Sequence, residues 1–186
     1  MNSERFLMNR DDVSSSFRGQ LRRQEYKQSK MIDGVRLIEF EFHSDEGGDF
    51  YEIARLTNGL VNSLGSFDLK QINRSRFNPG LIKAFHLHLK QDEIWAVHPL
   101  DRLLVGLVDA REDSETEGLQ MRLVMGAGKC GMLYIPRGVA HGGMALDIKP
   151  VDVIYLVNQN FSPSDPDEWR LPWNVLGNEF WEIRKE

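Results

Sequence analysis

From Gly34 onward, short runs of apolar, aromatic and β-branched residues alternate with clusters of turn-forming residues. The runs predict strands at 35–42, 50–56, 67–74, 82–89, 94–98, 102–109, 120–125, 131–135, 142–146 and 151–158. Turn chemistry separates them at Glu46-Gly47-Gly48, Asn78-Pro79-Gly80, His98-Pro99-Leu100-Asp101, Gly126-Ala127-Gly128 and Pro136-Arg137-Gly138. No long helical period interrupts the series. Many short strands at this spacing predict an all-β fold, with a double-sheet jelly roll as the best fit.

The two ends of the chain break this pattern. Residues 1–31 are poor in apolar positions, and Ser14-Ser15-Ser16 predicts a cap for a short helix over 17–30. This segment reads as a helical or mobile arm, or as one that packs on a neighbouring subunit. Residues 32–186 then form a single domain. Its tail, 162–186, holds Pro163, Pro166, Pro172, Trp169, Trp173 and Trp181, which predicts a wrapping loop anchored by tryptophans.

Composition narrows the function classes. The chain has 186 residues, 41% of them hydrophobic, which suits one domain with a full core. A net charge of -5 without a basic stripe argues against a nucleic-acid partner. No apolar run has the length of a membrane span, and the N-terminus lacks the apolar core of a signal peptide. A single cysteine, Cys130, forbids an internal disulfide and reads as a small buried strand residue. The expectation is a cytoplasmic protein without a membrane partner.

Candidate chemistry concentrates in two fragments that hold three of the five histidines. His86 and His88 occupy alternate positions of a predicted strand and so share a face. His141 follows the Pro136-Arg137-Gly138 turn. If strand pairing brings it alongside, three imidazoles and the Glu93 carboxylate line one cavity. The spacing of Gly80, His86, His88 and Glu93, followed by Pro136, Gly138 and His141, resembles the two motifs of the cupins, which are double-stranded β-helix jelly rolls. That resemblance implies one divalent transition metal held by His86, His88, Glu93 and His141. Leu100 and Ala145 depart from it, where glycine and asparagine are expected.

A second resemblance runs from about Ile32 to Trp181. The segments Asp45–Glu52, Gln71-Ile72-Asn73-Arg74-Ser75, Lys83-Ala84-Phe85-His86, Asp109–Gly118, Ile135–Gly142 and Ile154-Tyr155-Leu156 occur in an order similar to that of the dTDP-4-dehydrorhamnose 3,5-epimerase family. The resemblance implies a jelly roll acting without a cofactor, as a homodimer, on a nucleotide-linked 4-keto-6-deoxy sugar for polysaccharide synthesis. It implies His86 as the base, His141 beside the enolate oxygen with help from His88, and Tyr155 as a further catalytic residue. Gln71, Asn73, Lys83 and Arg111 become candidates for contacts to the nucleotide diphosphate.

Several positions depart from the family pattern. Phe161 stands where an acid tyrosine is expected. Gly47 and Lys83 replace phosphate arginines, and Glu93 replaces a lysine. Asn174 is the nearest match to the carboxylate that orients the base. The framework positions survive and the losses fall on the chemistry. Three readings stay open: an epimerase or isomerase, a metal-dependent cupin enzyme, and a non-catalytic cupin that binds a nucleotide sugar.

Overall fold

The computed structural model describes residues 7–25 and 30–184. The chain forms two compact units, Met1–Lys30 and Met31–Glu186. The first holds a 3-10 turn at Arg10–Asp12 and one short helix, α1, at Ser15–Arg18. The predicted helix over 17–30 is therefore not formed through its described part: α1 starts two residues earlier and ends at Gly19. It starts directly after Ser14, but the Ser14 side chain makes no capping hydrogen bond, no apolar face supports propagation, and a helix nucleus alone is costly. Residues 26–29 lie outside the described residues.

The second unit is almost entirely β. Its strands are β1 Arg36–Glu39, β2 His43–Asp45, β3 Gly48–Phe50, β4 Leu56–Thr57, β5 Leu60–Val61, β6 Gln71–Phe77, β7 Ile82–Leu87, β8 Glu93–Val97, β9 Arg102–Asp109, β10 Gln120–Gly126, β11 Gly131–Ile135, β12 Val139–Ala145, β13 Val151–Val157 and β14 Trp169–Arg170. One sheet runs β1-β11-β8-β13-β6 and the other β10-β9-β12-β7-β14, with all named pairings antiparallel. Two small hairpins, β2-β3 and β4-β5, accompany them. This is the predicted double-sheet jelly roll.

The burial pattern explains why some strands read as unbroken apolar runs. On β9, Leu103, Val105 and Leu107 join Trp95, Val97, Leu133, Ile135 and Val153 in one core cluster. The alternate residues Leu104 and Val108 face a second cluster with Phe85, Phe180 and Trp181. On β8, Ile94 turns away from Trp95 and packs under Val61, Leu64 and Phe67. Both strands are covered on both faces, so alternation disappears from their sequence.

The tail wraps as predicted, with a different anchoring pattern. β14 pairs with β7, and Leu171 and Phe85 exchange backbone hydrogen bonds at 3.0 and 3.2 Å. A 3-10 turn at Asn178–Trp181 then buries Phe180 and Trp181. Trp181 donates its indole N–H to the Trp173 carbonyl at 2.9 Å. Trp169 and Trp173 stay exposed, so one of the three tail tryptophans is the anchor.

Two central strands are set by glycines. A Cβ on Gly106 would lie 2.5 Å from Phe180 and 2.7 Å from Trp181, so the aromatic cover requires glycine there. Between β12 and β7, His141 pairs with His86 and Gly143 with Lys83, with an irregularity between the two pairs. Ala84 and Phe85 thus oppose Gly142 alone, which is the count of a β-bulge.

Candidate active site

A cavity of about 820 Å³ opens between the sheets. The first sheet contributes Gln71, Asn73, Glu93, Trp95 and Tyr155, and the second contributes Lys83, His86 and His141. His88, just beyond β7, and the strap at 165–170 complete the wall. The two histidine fragments therefore meet. Alternation on β7 aims His86 and His88 into the cavity and leaves Phe85 and Leu87 in the outer apolar cluster. His141 reaches them from β12, directly opposite His86 in register.

The His86 ring lies nearly parallel to that of His141, at 19° and 6.2 Å between centroids. Its Nδ1 is 3.3 Å from Glu168 Oε1. Burial first, then the charges of His141 and Arg170, lower its pKa to about 4. The ring is therefore neutral at physiological pH and able to accept a proton.

Glu93 is the hub of the deeper wall. Its carboxylate is buried, and both oxygens are occupied. Oε1 accepts from Gln91 Nε2 at 2.9 Å and sits 3.1 Å from His88 Nε2. Oε2 accepts from the Trp95 indole at 2.7 Å and sits 3.2 Å from His141 Nε2. Burial would raise the Glu93 pKa, but the neighbouring imidazoles outweigh it and hold the group far below the carboxylate range. For His88, burial works against the charged form, and the hydrogen bond and charge of Glu93 outweigh it, raising the pKa. The far nitrogens face backbone: His88 Nδ1 is 2.5 Å from the Asp167 carbonyl, and His141 Nδ1 is 3.0 Å from that of Val139.

The donor atoms of His88, Glu93 and His141 all lie within 4.8 Å of one another. His86, the fourth member of the expected metal set, is not in that group, because its Nδ1 turns to Glu168. Tyr155 faces the cavity from the sheet opposite His86. Burial raises its phenol pKa, and the charges of Glu93 and Glu168 add to this, so it stays protonated at neutral pH.

The expected diphosphate contacts divide. Gln71, Asn73 and Lys83 line the cavity. Gln71 donates to Asn73 Oδ1 at 2.7 Å and accepts the Phe161 backbone N–H at 2.9 Å. Lys83 donates to Ser75 and stands 4.9 Å over the Phe77 ring, and burial lowers its pKa with help from Arg170. Arg111 does not line the cavity, which corrects the expectation for it. Its guanidinium donates to both oxygens of buried Asp109 at 2.8 Å each, and to the Asp33 carbonyl at 2.7 Å. The side chain also packs where a Cβ on Gly138 would stand, so its role is to fix this loop.

Asn174 is likewise not the partner of His86. Its side chain donates to Asn178 at 3.3 Å, and Glu168 takes the place beside the base. The sequence reasoning missed Glu168, Asp167, Gln91 and Trp95. Trp95 was legible, since it lies two residues beyond Glu93 on one strand and shares its face. Glu168 lies in an irregular strap, where no periodicity points to it.

The comparisons with known proteins agree with this fold. The family model described as dTDP-4-dehydrorhamnose 3,5-epimerase matches residues 29–176. The spore coat polysaccharide biosynthesis protein SpsL of Bacillus subtilis is 41% identical over 144 residues, 77% of this chain and 91% of that protein. A crystal structure of a dTDP sugar isomerase from Desulfovibrio desulfuricans superposes with a TM-score of 0.68 at 24% identity, covering 78% of this chain and 88% of that one. The dTDP-6-deoxy-D-glucose-3,5-epimerase of Legionella pneumophila, solved with dTDP-4-keto-L-rhamnose, superposes at 0.65 with 26% identity, covering 76% and 74%. The chain belongs to the dTDP-4-dehydrorhamnose 3,5-epimerase family.

Proposed function

We propose that the protein epimerises or isomerises a dTDP-linked 4-keto-6-deoxy sugar, with His86 as the base. The observation that carries this reading is an imidazole backed by Glu168 on one sheet and a tyrosine on the other, both lining one cavity. The Legionella pneumophila relative, solved with a dTDP-linked keto sugar, supports the substrate class.

The C4 ketone acidifies the protons on C3 and C5. His86 takes one of them, and the electron pair moves onto the carbonyl oxygen as an enolate. Glu168, beside Nδ1, stabilises the imidazolium as it forms, in the way a carboxylate steadies a catalytic histidine. The enolate oxygen faces the wall that His141 and His88 form on either side of Glu93. Tyr155, from the opposite sheet, gives its proton to the other face of the ring as the enolate returns to the ketone, and it regains a proton from water while His86 releases the one it took. Phe161 has no proton to give, so the acid role falls to Tyr155. Lys83, Gln71 and Asn73 hold the nucleotide diphosphate.

The product serves polysaccharide synthesis, in keeping with the name of the Bacillus subtilis relative. We assign the reaction to the cytoplasm, and the single buried Cys130 is compatible with a reducing compartment. Among the described residues no helix is long and apolar enough to cross a membrane. We also propose a homodimer. β6 lies at the edge of its sheet with Ile72 exposed, which favours pairing with a second copy. Light scattering on the purified chain tests it, and a monomer mass rejects it.

The activity is tested by incubating the protein with dTDP-4-keto-6-deoxyglucose in D2O and reading C3 and C5 by NMR. Deuterium at either carbon with inverted product supports the reading. A substrate that returns unlabelled and unchanged rejects it.

A further inference from the structure

The carboxylate beside the base stands on a strap with few attachments. From 163 to 170 every residue except Asp167 is exposed. β14 pairs with β7 through two residues, and Asp165 adds an ion pair with Lys90 that lies open to solvent. Arg170 Nη2 donates to Glu168 Oε1 at 2.6 Å, but Arg170 belongs to the same strap. The depth at which Glu168 meets the imidazole is left to be fixed from its other side.

Asp167 is that fixed point. Its Oδ1 accepts the Leu89 N–H at 3.0 Å, and its Oδ2 accepts those of Lys90 and Gln91 at 2.8 and 3.0 Å. Successive backbone N–H groups in a turn make a concave seat for an anion, and a side chain of the same protein fills this one. The turn joins β7 to β8, between His88 and Glu93, so it belongs to the frame of the cavity. Asp167 has φ +40°, in the left-handed region that aspartate tolerates better than most residues. That reversal lets Asp167 send its carboxylate into the turn while the next residue sends its own to His86, 3.3 Å from Nδ1. The Asp167 carbonyl meets His88 Nδ1 at 2.5 Å, so side chain and main chain are both held.

We propose that Asp167 is a positioning residue for the proton transfer: it locks the strap into the 89–91 turn and thereby sets Glu168 against His86. The role rests on the epimerase reading of the cavity. Asp167 acts through Glu168 and not on the sugar. A misplacement of ~1 Å at such a partner costs ~100-fold in rate. Gln71, Asn73 and Lys83 stand on β6 and β7, so the grip on the nucleotide does not depend on the strap.

Two variants of the full chain test the role. Asp167→Gly removes the carboxylate, keeps the carbonyl that meets His88, and accepts a positive φ without strain. Asp167→Asn keeps one acceptor oxygen and sets an NH2 against backbone N–H groups. Deuterium exchange into dTDP-4-keto-6-deoxyglucose is measured for each, alone and combined with Glu168→Gln. Calorimetry reads dTDP affinity, NMR reads amide exchange at residues 89–91, and circular dichroism confirms folding. In Asp167→Gly, kcat falls ~100-fold while KM and dTDP affinity stay near wild type, and the three amides exchange faster. Asp167→Asn loses less. Combined with Glu168→Gln, Asp167→Gly causes no further loss, because the two residues act as one unit. A folded Asp167→Gly that works at the wild-type rate overturns the proposal. Losses that multiply in the double variant also overturn it, as does a defect seen in dTDP affinity instead of kcat. A wild type that exchanges no deuterium while its 89–91 amides stay protected rejects the epimerase reading, which is a different failure from that of the anchor.

Discussion

Gly142→Ala tests whether the bulge between β7 and β12 sets the catalytic geometry. A Cβ at this position would lie 2.3 Å from Ala84 Cβ and 2.6 Å from the Lys83 carbonyl oxygen. Carbon atoms in ordinary contact stand ~3.5–4.0 Å apart, so the strands must separate locally by more than ~1 Å. Overpacking of this kind costs about 1–3 kcal/mol. For a chain of this size that lowers Tm by roughly 2–12 °C. The effect on activity is larger, because the displaced strands carry His86 and His141 in direct register. A misplacement of ~1 Å at the reacting groups costs ~100-fold in rate. Thermal unfolding and deuterium exchange into the keto sugar measure the two effects. Gly143→Ala is the control: its Cβ would meet Phe77 at 3.1 Å and the Leu104 oxygen at 3.2 Å, contacts that a few tenths of an ångström relieve. A Gly142→Ala protein that melts and exchanges like the wild type would refute the reasoning.

Other perturbations separate roles within the unit. Glu168→Gln removes the carboxylate beside His86 Nδ1 and lowers kcat by roughly 10- to 1,000-fold with little change in KM, as steady-state kinetics will read. Arg111→Ala leaves the buried Asp109 carboxylate without its cation and costs about 3 kcal/mol, seen as a lower Tm with dTDP affinity unchanged. The depressed pKa of His86 places the acid limb of kcat/KM near pH 4, well below the ordinary imidazole value, and a profile falling at pH 6.5 would contradict this. The same shift has a sign for stability. Between pH 6.5 and about 4 the unfolded chain binds a proton at His86 that the folded chain does not, so this group lowers stability as pH falls through that window. Denaturant titration of wild type against His86→Asn isolates it.

The strands that the sequence located best, β9 and β11, are bounded by tight turns and filled with buried apolar residues. Those it displaced have physical reasons. β12 begins at Val139, three residues before the expected start, because the Pro136–Gly138 turn is tight and the Gly142-Gly143 pair hides the strand signal. β6 is an edge strand of alternating polar residues, so its apolar content points elsewhere. The run expected at 50–56 stays largely irregular, since the β3 hairpin ends at Phe50. The meeting of His86, His88, Glu93 and His141 in one cavity was legible from strand alternation. The partners from the strap were not. Asp167 accepts three backbone N–H groups from Leu89, Lys90 and Gln91, and this tertiary anchor delivers Glu168 to His86. Nothing local in Ser164–Arg170 encodes that approach. Arg111 shows the converse: a cation two residues from a buried carboxylate on the same turn is committed to structure.

The central claim is that His86 removes a carbon-bound proton next to a ketone. The measurement closest to it is deuterium wash-in at C3 and C5 of dTDP-4-keto-6-deoxyglucose, followed by NMR in wild type and His86→Asn with folding and dTDP binding verified. The account predicts exchange in the wild type and its loss by at least ~100-fold in the variant. Exchange at an undiminished rate in folded His86→Asn would contradict it.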